Sequence, residues 1–334
     1  MRTPKYLSPT SMALALSDME EFYLRYLADQ RPERFPQTQP MSIGSAFDAR
    51  VKSYLHWSLF GHYGEGDVYL FENIFEMQVE PHNRDWALPN SVIVFEAYKK
   101  SGSLADFMLE LQNAQGEPRF ELTLEGRISH KSNVGGVPFL GKPDVYYISA
   151  GGSHVIRDWK VNGYCGTRNL SPKSGYVTVR DGWGPDDGPP SRNVNTPHKD
   201  AQCIRISGIN VNVAQYLENI DDTWARQLAI YGWLLGEPIA SNFIVGIEQL
   251  VCSPGKIRVA TFSNRISPDF QHNLYRTASN LWQTIESGYI FTGMSREDSD
   301  DRCLTLDRYH EAFKPSDDPK DQWLANVTRV QKDW

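Results

Sequence analysis

Apolar positions at the start of the chain recur with the period of a helix. Met12, Leu16, Met19, Phe22, Tyr23 and Tyr26 form one stripe that begins behind Ser8-Pro9-Thr10-Ser11, with Pro9 suited to a first helical turn. Pro32 and Pro36 interrupt the chain before a second helix around Gly44-Ser45-Ala46-Phe47-Asp48. Beyond Pro89, two helices flank Ser101-Gly102-Ser103, the second running from Leu104 towards Asn113. The period then falls to two. Arg119 to Ile128 alternates as a strand, Val137 to Ile148 has strand composition throughout, and Ser149-Ala150-Gly151-Gly152-Ser153 turns the chain into a strand over Val155 to Val161. Ile220 to Gly236 reads as one helix, capped by Asp221 or Asp222 and ended by Gly236-Glu237-Pro238. A hairpin joins Asn242–Cys252 to Lys256–Asn264 across Ser253-Pro254-Gly255. A closing helix follows, with Ser267 as cap, Pro268 at its first position and Gly288 as its stop. This order predicts an α/β protein with a central mixed sheet flanked by helices. It divides into a helical N-terminal region (1–115), a core (116–292) with a loop insertion at 165–200, and a tail from 293 to 334.

Side chains alternate along a strand, so Asp158 and Lys160 share a face that Trp159 does not. With Asp144 on the neighbouring strand, two carboxylates and an ammonium converge. Such a set can hold a divalent cation, Mg²⁺ or Mn²⁺, which lowers the pKa of bound water and neutralises phosphate charge. The run Pro143-Asp144 followed by Asp158-Trp159-Lys160 resembles the PD-(D/E)XK nuclease motif in its D-X-K form. Gln227 and Tyr231, four apart on one helix face, resemble the Q-xxx-Y element of that superfamily's RecB-like branch, which includes Cas4 and phage recombination exonucleases. Gly44 to Asp48 stands where that branch has its G-xxx-H helix, with aspartate in place of histidine.

The resemblance implies a restriction-endonuclease-like core and metal-dependent DNA cleavage, as an exonuclease of recombination or repair. It assigns metal binding to Asp144, Asp158 and the Trp159 main-chain carbonyl, water handling to Lys160, and positioning to Gln227 and Tyr231. Asp48 and Glu125, the latter on the alternating segment upstream, are further candidate ligands. Plainer readings stay open for each. Asp158 and Lys160 can be an ordinary salt bridge, Lys52 offers Asp48 an i,i+4 partner, Glu125 can face solvent, and Tyr231 can pack beside Leu228 and Leu234. A non-catalytic DNA-binding or scaffold subunit and a structure-specific endonuclease are the alternatives to an exonuclease.

At 334 residues and 40% hydrophobic, the chain can bury a substantial core. No apolar run reaches membrane-spanning length, and the start lacks the apolar segment of a signal peptide, which predicts a cytoplasmic protein, in the host cell if the source is viral. The four cysteines are widely separated, and the first is Cys165, so the iron–sulfur cluster of Cas4-type relatives is not expected. A net charge of −7 weighs against a nucleic-acid partner. Yet Lys142, Arg157, Lys160, Arg168, Lys173 and Arg180 cluster around the motif, and the loop Asn169–Lys199 adds Tyr176 and Trp183 for stacking on a strand or simply forms a surface insertion. DNA is therefore the expected partner, with a recombination or annealing protein and a second copy of the chain as further candidates. The acidic run at Asp298, Asp300 and Asp301 reads as solvated tail.

Overall fold

The computed structural model describes residues 2–32, 35–61, 67–129, 136–182, 193–194 and 197–288. The tail from 293 and Trp183 of the loop insertion lie outside the described residues. The helical first part comprises α1 (Pro9–Ser17), α2 (Met19–Phe22), a π-helical turn (Tyr23–Leu27), α3 (Gln39–Phe60), α4 (Phe71–Gln78), α5 (Pro81–Lys100) and α6 (Ser103–Gln112). Strands follow: β1 (Arg119–Phe120), β2 (Leu124–Ile128), β3 (Val137–Gly141), β4 (Val145–Ile148), β5 (His154–Asn162), β6 (Thr178–Asp181), β7 (Asn193–Val194), β8 (Cys203–Ile206) and β9 (Ile209–Asn212). The chain closes with α7 (Leu217–Ile220), α8 (Asp222–Leu234), β10 (Ile244–Ser253), β11 (Lys256–Asn264) and α9 (Pro268–Ser287).

Two compact units are built from non-contiguous segments. One takes residues Met1–Thr38, Glu125–Leu140 and the chain from Asn273 onward. Here Ser8 and Ser11 exchange side-chain bonds with each other's backbone N–H at 3.1 and 2.7 Å, starting α1 as a capping box. The single apolar stripe expected as far as Tyr26 is broken at Asp18. Its extended backbone (φ −152°) ends α1, and its carboxylate accepts the Glu21 N–H at 2.9 Å to start α2. β2 pairs with β3, and Leu7 bridges Phe139 in parallel.

The other unit, Gln39–Leu124 with Gly141–His272, holds the mixed sheet in the order β1-β4-β5-β10-β11-β6, with the two-residue β7 on its β6 edge. The α/β class, the central mixed sheet flanked by helices and the helical N-terminal region match the sequence pattern. The hairpin β10–β11 turns at Pro254-Gly255 as expected, with Ser253 opposite Lys256 and Gly255 at φ +69°. Two strands read as continuous are each split. Pro143 has no N–H to donate, and the chain leaves the β2–β3 pair at Gly141 and enters the main sheet at Val145. Glu121 adopts a left-handed backbone (φ +52°), which separates β1 from β2. The helix expected beyond Pro89 starts earlier, at Pro81, and runs through Pro89.

β5 is central and buried along most of its length, with β4 antiparallel on one side and β10 parallel on the other. Its Val155 and Trp159 belong to a core cluster with Ile43, Phe47, Val51 and Leu55 of α3, at i, i+4, i+8 and i+12, and with Val94, Tyr98, Leu104 and Phe107 of α5 and α6. Phe107 meets Trp159 and Tyr147 edge to face, with ring centroids 6.0 and 6.1 Å apart. Arg157 lies on this buried face too, so its charge must be matched. Glu110 accepts from it at 2.6 Å, Glu248 at 3.0 Å and the Tyr147 hydroxyl at 3.1 Å.

Burial pushes the Glu248 carboxyl from 4.5 up to about 7, against the opposing pull of Arg157 and Thr261. A group whose folded pKa is raised stabilises the fold fully below its unfolded pKa and loses that contribution as pH rises through the folded value. Compared with Glu248→Gln, the wild-type protein should therefore lose on the order of 1–3 kcal/mol of stability between about pH 4.5 and 7. Urea unfolding of both proteins at the two pH values measures this, and a difference that stays flat or grows with pH contradicts it.

Candidate metal centre

The antiparallel pairing of β4 with β5 ends at Val145 opposite Arg157. Asp144 is the residue just before β4, and its carboxyl group meets that of Asp158. Because β4 has stopped, the Trp159 N–H has no strand partner there and donates instead to Asp144 Oδ2 at 3.1 Å. Two carboxylates are thus set side by side at a ladder end, where like charges directly opposite each other are unfavourable unless something neutralises them.

Neutralisation comes from both flanks. On the Asp158 side, Lys160 pairs with Asp158 Oδ2 and also donates to Gln227 Oε1 at 3.0 Å. The Gln227 amide donates to Asp158 Oδ1 at 3.2 Å and to the Tyr231 hydroxyl at 3.0 Å. Gln227 and Tyr231 are presented by one face of α8, which Asp221 caps by accepting the N–H groups of Thr223 and Trp224 at 2.9 and 3.0 Å. Gly141 lets Tyr231 approach, since a Cβ there would lie 2.7 Å from Tyr231 Cδ1 and 2.8 Å from Leu234 Cδ1.

On the Asp144 side stands Lys52, whose side chain is 1% exposed. Its ammonium donates to Asp48 Oδ2 at 2.6 Å, to Asp144 Oδ1 at 3.0 Å and to Glu121 Oε1. Asp48 and Lys52 lie one turn apart on α3, beside the apolar stripe that fixes that helix in the core. Glu121 also receives the Gln78 amide at 3.2 Å and pairs with Lys142, while its backbone N–H donates to the Asp144 carbonyl at 3.2 Å.

Burial pushes the Asp158 carboxyl up to about 7, with Asp144 adding to the rise. Burial also raises Asp48 to about 6, against the pull of Lys52. For Asp144 burial acts upward too, but Lys52 and then Lys160 outweigh it and hold the group below the ordinary carboxylate range. Lys160 is raised, because Asp158 and Asp144 overcome the cost of its burial. The centre is an acid-rich cluster in which the ammonium groups of Lys52, Lys142 and Lys160 face four carboxyl groups.

Asp48, Glu121 and Asp144 each offer a carboxylate oxygen, and these oxygens lie within 4.8 Å of one another. Hard oxygen donors at that spacing suit a divalent cation, and Asp48 Oδ1 is buried without a hydrogen-bond partner. Of the residues singled out in the sequence, Asp144, Asp158, Lys160, Gln227, Tyr231 and Asp48 are brought into this region. Glu125 is not in the acid group; it is exposed on β2, in the other unit. Glu121 stands there instead, and its left-handed backbone breaks the alternation expected over Arg119 to Ile128. Gln78 had no sequence signal, and Lys52 reads in sequence only as a helical ion-pair partner.

No family model and no curated protein matches the chain. Among solved structures, it is similar to a candidate exonuclease from Eubacterium rectale, with 15% identity, a TM-score of 0.37 and coverage of 85% of this chain and 82% of that one. It is also similar to the protein SSO0001, with 11% identity, a TM-score of 0.25 and coverage of 81% and 82%. Likeness at this level carries no argument about activity, so the function must be argued from the site. Among the described residues, no helix is long and apolar enough to cross a membrane.

Two glycines test the geometry in opposite directions. Gly141→Ala should cost about 1–3 kcal/mol, because the new methyl meets Tyr231 and Leu234. Gly44→Ala, inside α3 with open space around the new methyl, should stabilise by about 0.5–1 kcal/mol. Urea unfolding of both variants checks the pair, and equal effects would contradict the close approach at Gly141.

Proposed function

We propose that this chain is a metal-dependent DNA nuclease, acting as an exonuclease in recombination or repair. The observation that carries this reading is the placement of Asp144 beside Asp158 at the end of the β4–β5 ladder, with Lys160 two residues further along and bonded through Gln227 to Tyr231. The same residues carry the resemblance to the RecB-like PD-(D/E)XK nucleases, and their convergence at one centre supports this reading. In this reading Asp144, Asp158 and the Trp159 carbonyl would hold Mg²⁺ or Mn²⁺, and Asp48 and Glu121 offer further oxygens close to that of Asp144. A bound divalent cation supplies charge neutralisation at the phosphate and a more acidic water.

Hydrolysis adds one water across a P–O bond: a new O–P bond forms, the bond to the leaving oxygen breaks, and that oxygen ends protonated. Charge accumulates on the phosphoryl oxygens as this happens. In this reading Lys160 is the donor that would meet that charge, and it is held by two partners, Asp158 and Gln227. Gln227 takes its orientation from Tyr231 and bonds both Lys160 and Asp158, so it couples the ammonium to the carboxylate in one geometry. Tyr231 is a positioning residue.

End-labelled linear DNA and covalently closed circular DNA, each incubated with Mg²⁺ or Mn²⁺, test the reading. The wild-type protein should degrade the linear form only. Lys160→Ala and Asp144→Asn should lower that rate by on the order of 10²–10³-fold or more without unfolding the protein. Cutting of both forms would make it an endonuclease. DNA binding without cleavage in either metal, unchanged in Lys160→Ala, would sink the catalytic reading and leave a binding subunit.

A further inference from the structure

Lys52 is fully buried, and its ammonium has three N–H donors that meet three carboxylates, Asp48, Glu121 and Asp144. Those are the same three acids whose oxygens lie close enough together to share one cation. The ammonium already occupies their common focus. A helical i,i+4 ion pair with Asp48 alone would leave the Lys52 head near the surface, as long basic side chains normally prefer. Here the stem runs inward beside the apolar stripe of α3 and delivers the charge to acids from two other segments.

From this geometry we infer that Lys52 is a built-in cation that competes with the divalent metal for the Asp48–Glu121–Asp144 site. The inference rests on the metal-centre reading above and adds a regulatory residue to it. Two cations at one set of oxygens repel each other, and each Asp144 or Asp48 oxygen given to the metal is withdrawn from the ammonium. Lys52 therefore leaves the carboxylates when metal enters. Its flexible four-carbon stem allows that movement, which a rigid guanidinium would not. Without metal, Lys52 holds the acids together; with metal, it is released and the stability of the site passes to the ion.

Lys52→Met keeps the unbranched stem and removes the charge. Mn²⁺ titrated by calorimetry into wild type, Lys52→Met and Asp144→Asn should show binding to wild type, binding at least about tenfold tighter to Lys52→Met, and loss of binding in Asp144→Asn. The metal-induced rise in melting temperature should be larger in Lys52→Met than in wild type. If wild type binds Mn²⁺ through Asp144 and Lys52→Met binds no more tightly, the competition is overturned while the metal centre stands. If neither wild type nor Lys52→Met binds Mn²⁺, the metal-centre reading fails and this inference with it. Should Lys52→Met not fold, amine-directed acylation of the wild-type protein decides. Lys52 should be protected without metal and modified with saturating Mn²⁺, and protection in both states would overturn the inference.

Discussion

The second unit is organised around the cancellation of buried charge at the end of the β4–β5 ladder. Asp48, Glu121, Asp144 and Asp158 come from four separate segments and are met by Lys52, Lys142 and Lys160. Four carboxyl groups stand against three ammonium groups, and burial together with the neighbouring Asp144 pushes the Asp158 carboxyl up to about 7. An uncompensated buried charge costs several kcal/mol, so none of these segments can drift without exposing the others to that cost. The network thereby ties α3 to the sheet alongside the apolar stripe of the same helix.

β5 makes this possible because it is buried on both faces and carries opposite chemistry on each. Arg157 and Trp159 point to the side of α5 and α6, where Glu110, Glu248 and Tyr147 absorb the guanidinium charge. Asp158 and Lys160 point to the side where α8 supplies Gln227. Two backbone irregularities then complete the pocket. Pro143 helps to end one strand so that Asp144 is free of the ladder, and Glu121 takes a left-handed conformation that costs on the order of 1–3 kcal/mol in a non-glycine residue. Bonds to Lys52, Lys142 and Gln78 hold that residue in place.

Much of this was legible in the sequence, for reasons that differ from residue to residue. The Asp158–Lys160 face followed from strand alternation alone, and the α8 face of Gln227 and Tyr231 from helical spacing, because both depend only on local geometry. The pairing of Asp144 with Asp158 needed only a short connection between neighbouring strands. What was not legible depended on breaks in periodicity. Alternation across Arg119 to Ile128 put Glu121 and Glu125 on one face, but a single left-handed residue sent them to different units. Lys52 looked like a helical partner of Asp48, which it is, and only the fold reveals that two further carboxylates converge on the same nitrogen. Asp18 likewise split a helix whose apolar pattern ran straight through it, since a capping bond to Glu21 N–H competes with continuation.

The charge balance also bears on what could occupy the pocket. The chain as a whole is at −7, and the pocket is lined by more carboxylates than cations, so a phosphodiester approaching it meets net repulsion. The lysines relieve this only in part, because each already pairs with a carboxylate. A phosphate can be held there only if positive charge beyond that of the side chains enters with it or before it. An acidic protein with an acid-rich focus is thus consistent with a nucleic-acid substrate only on the condition that a divalent cation is part of the site, and the oxygen donors of Asp48, Glu121 and Asp144 are spaced to meet that condition.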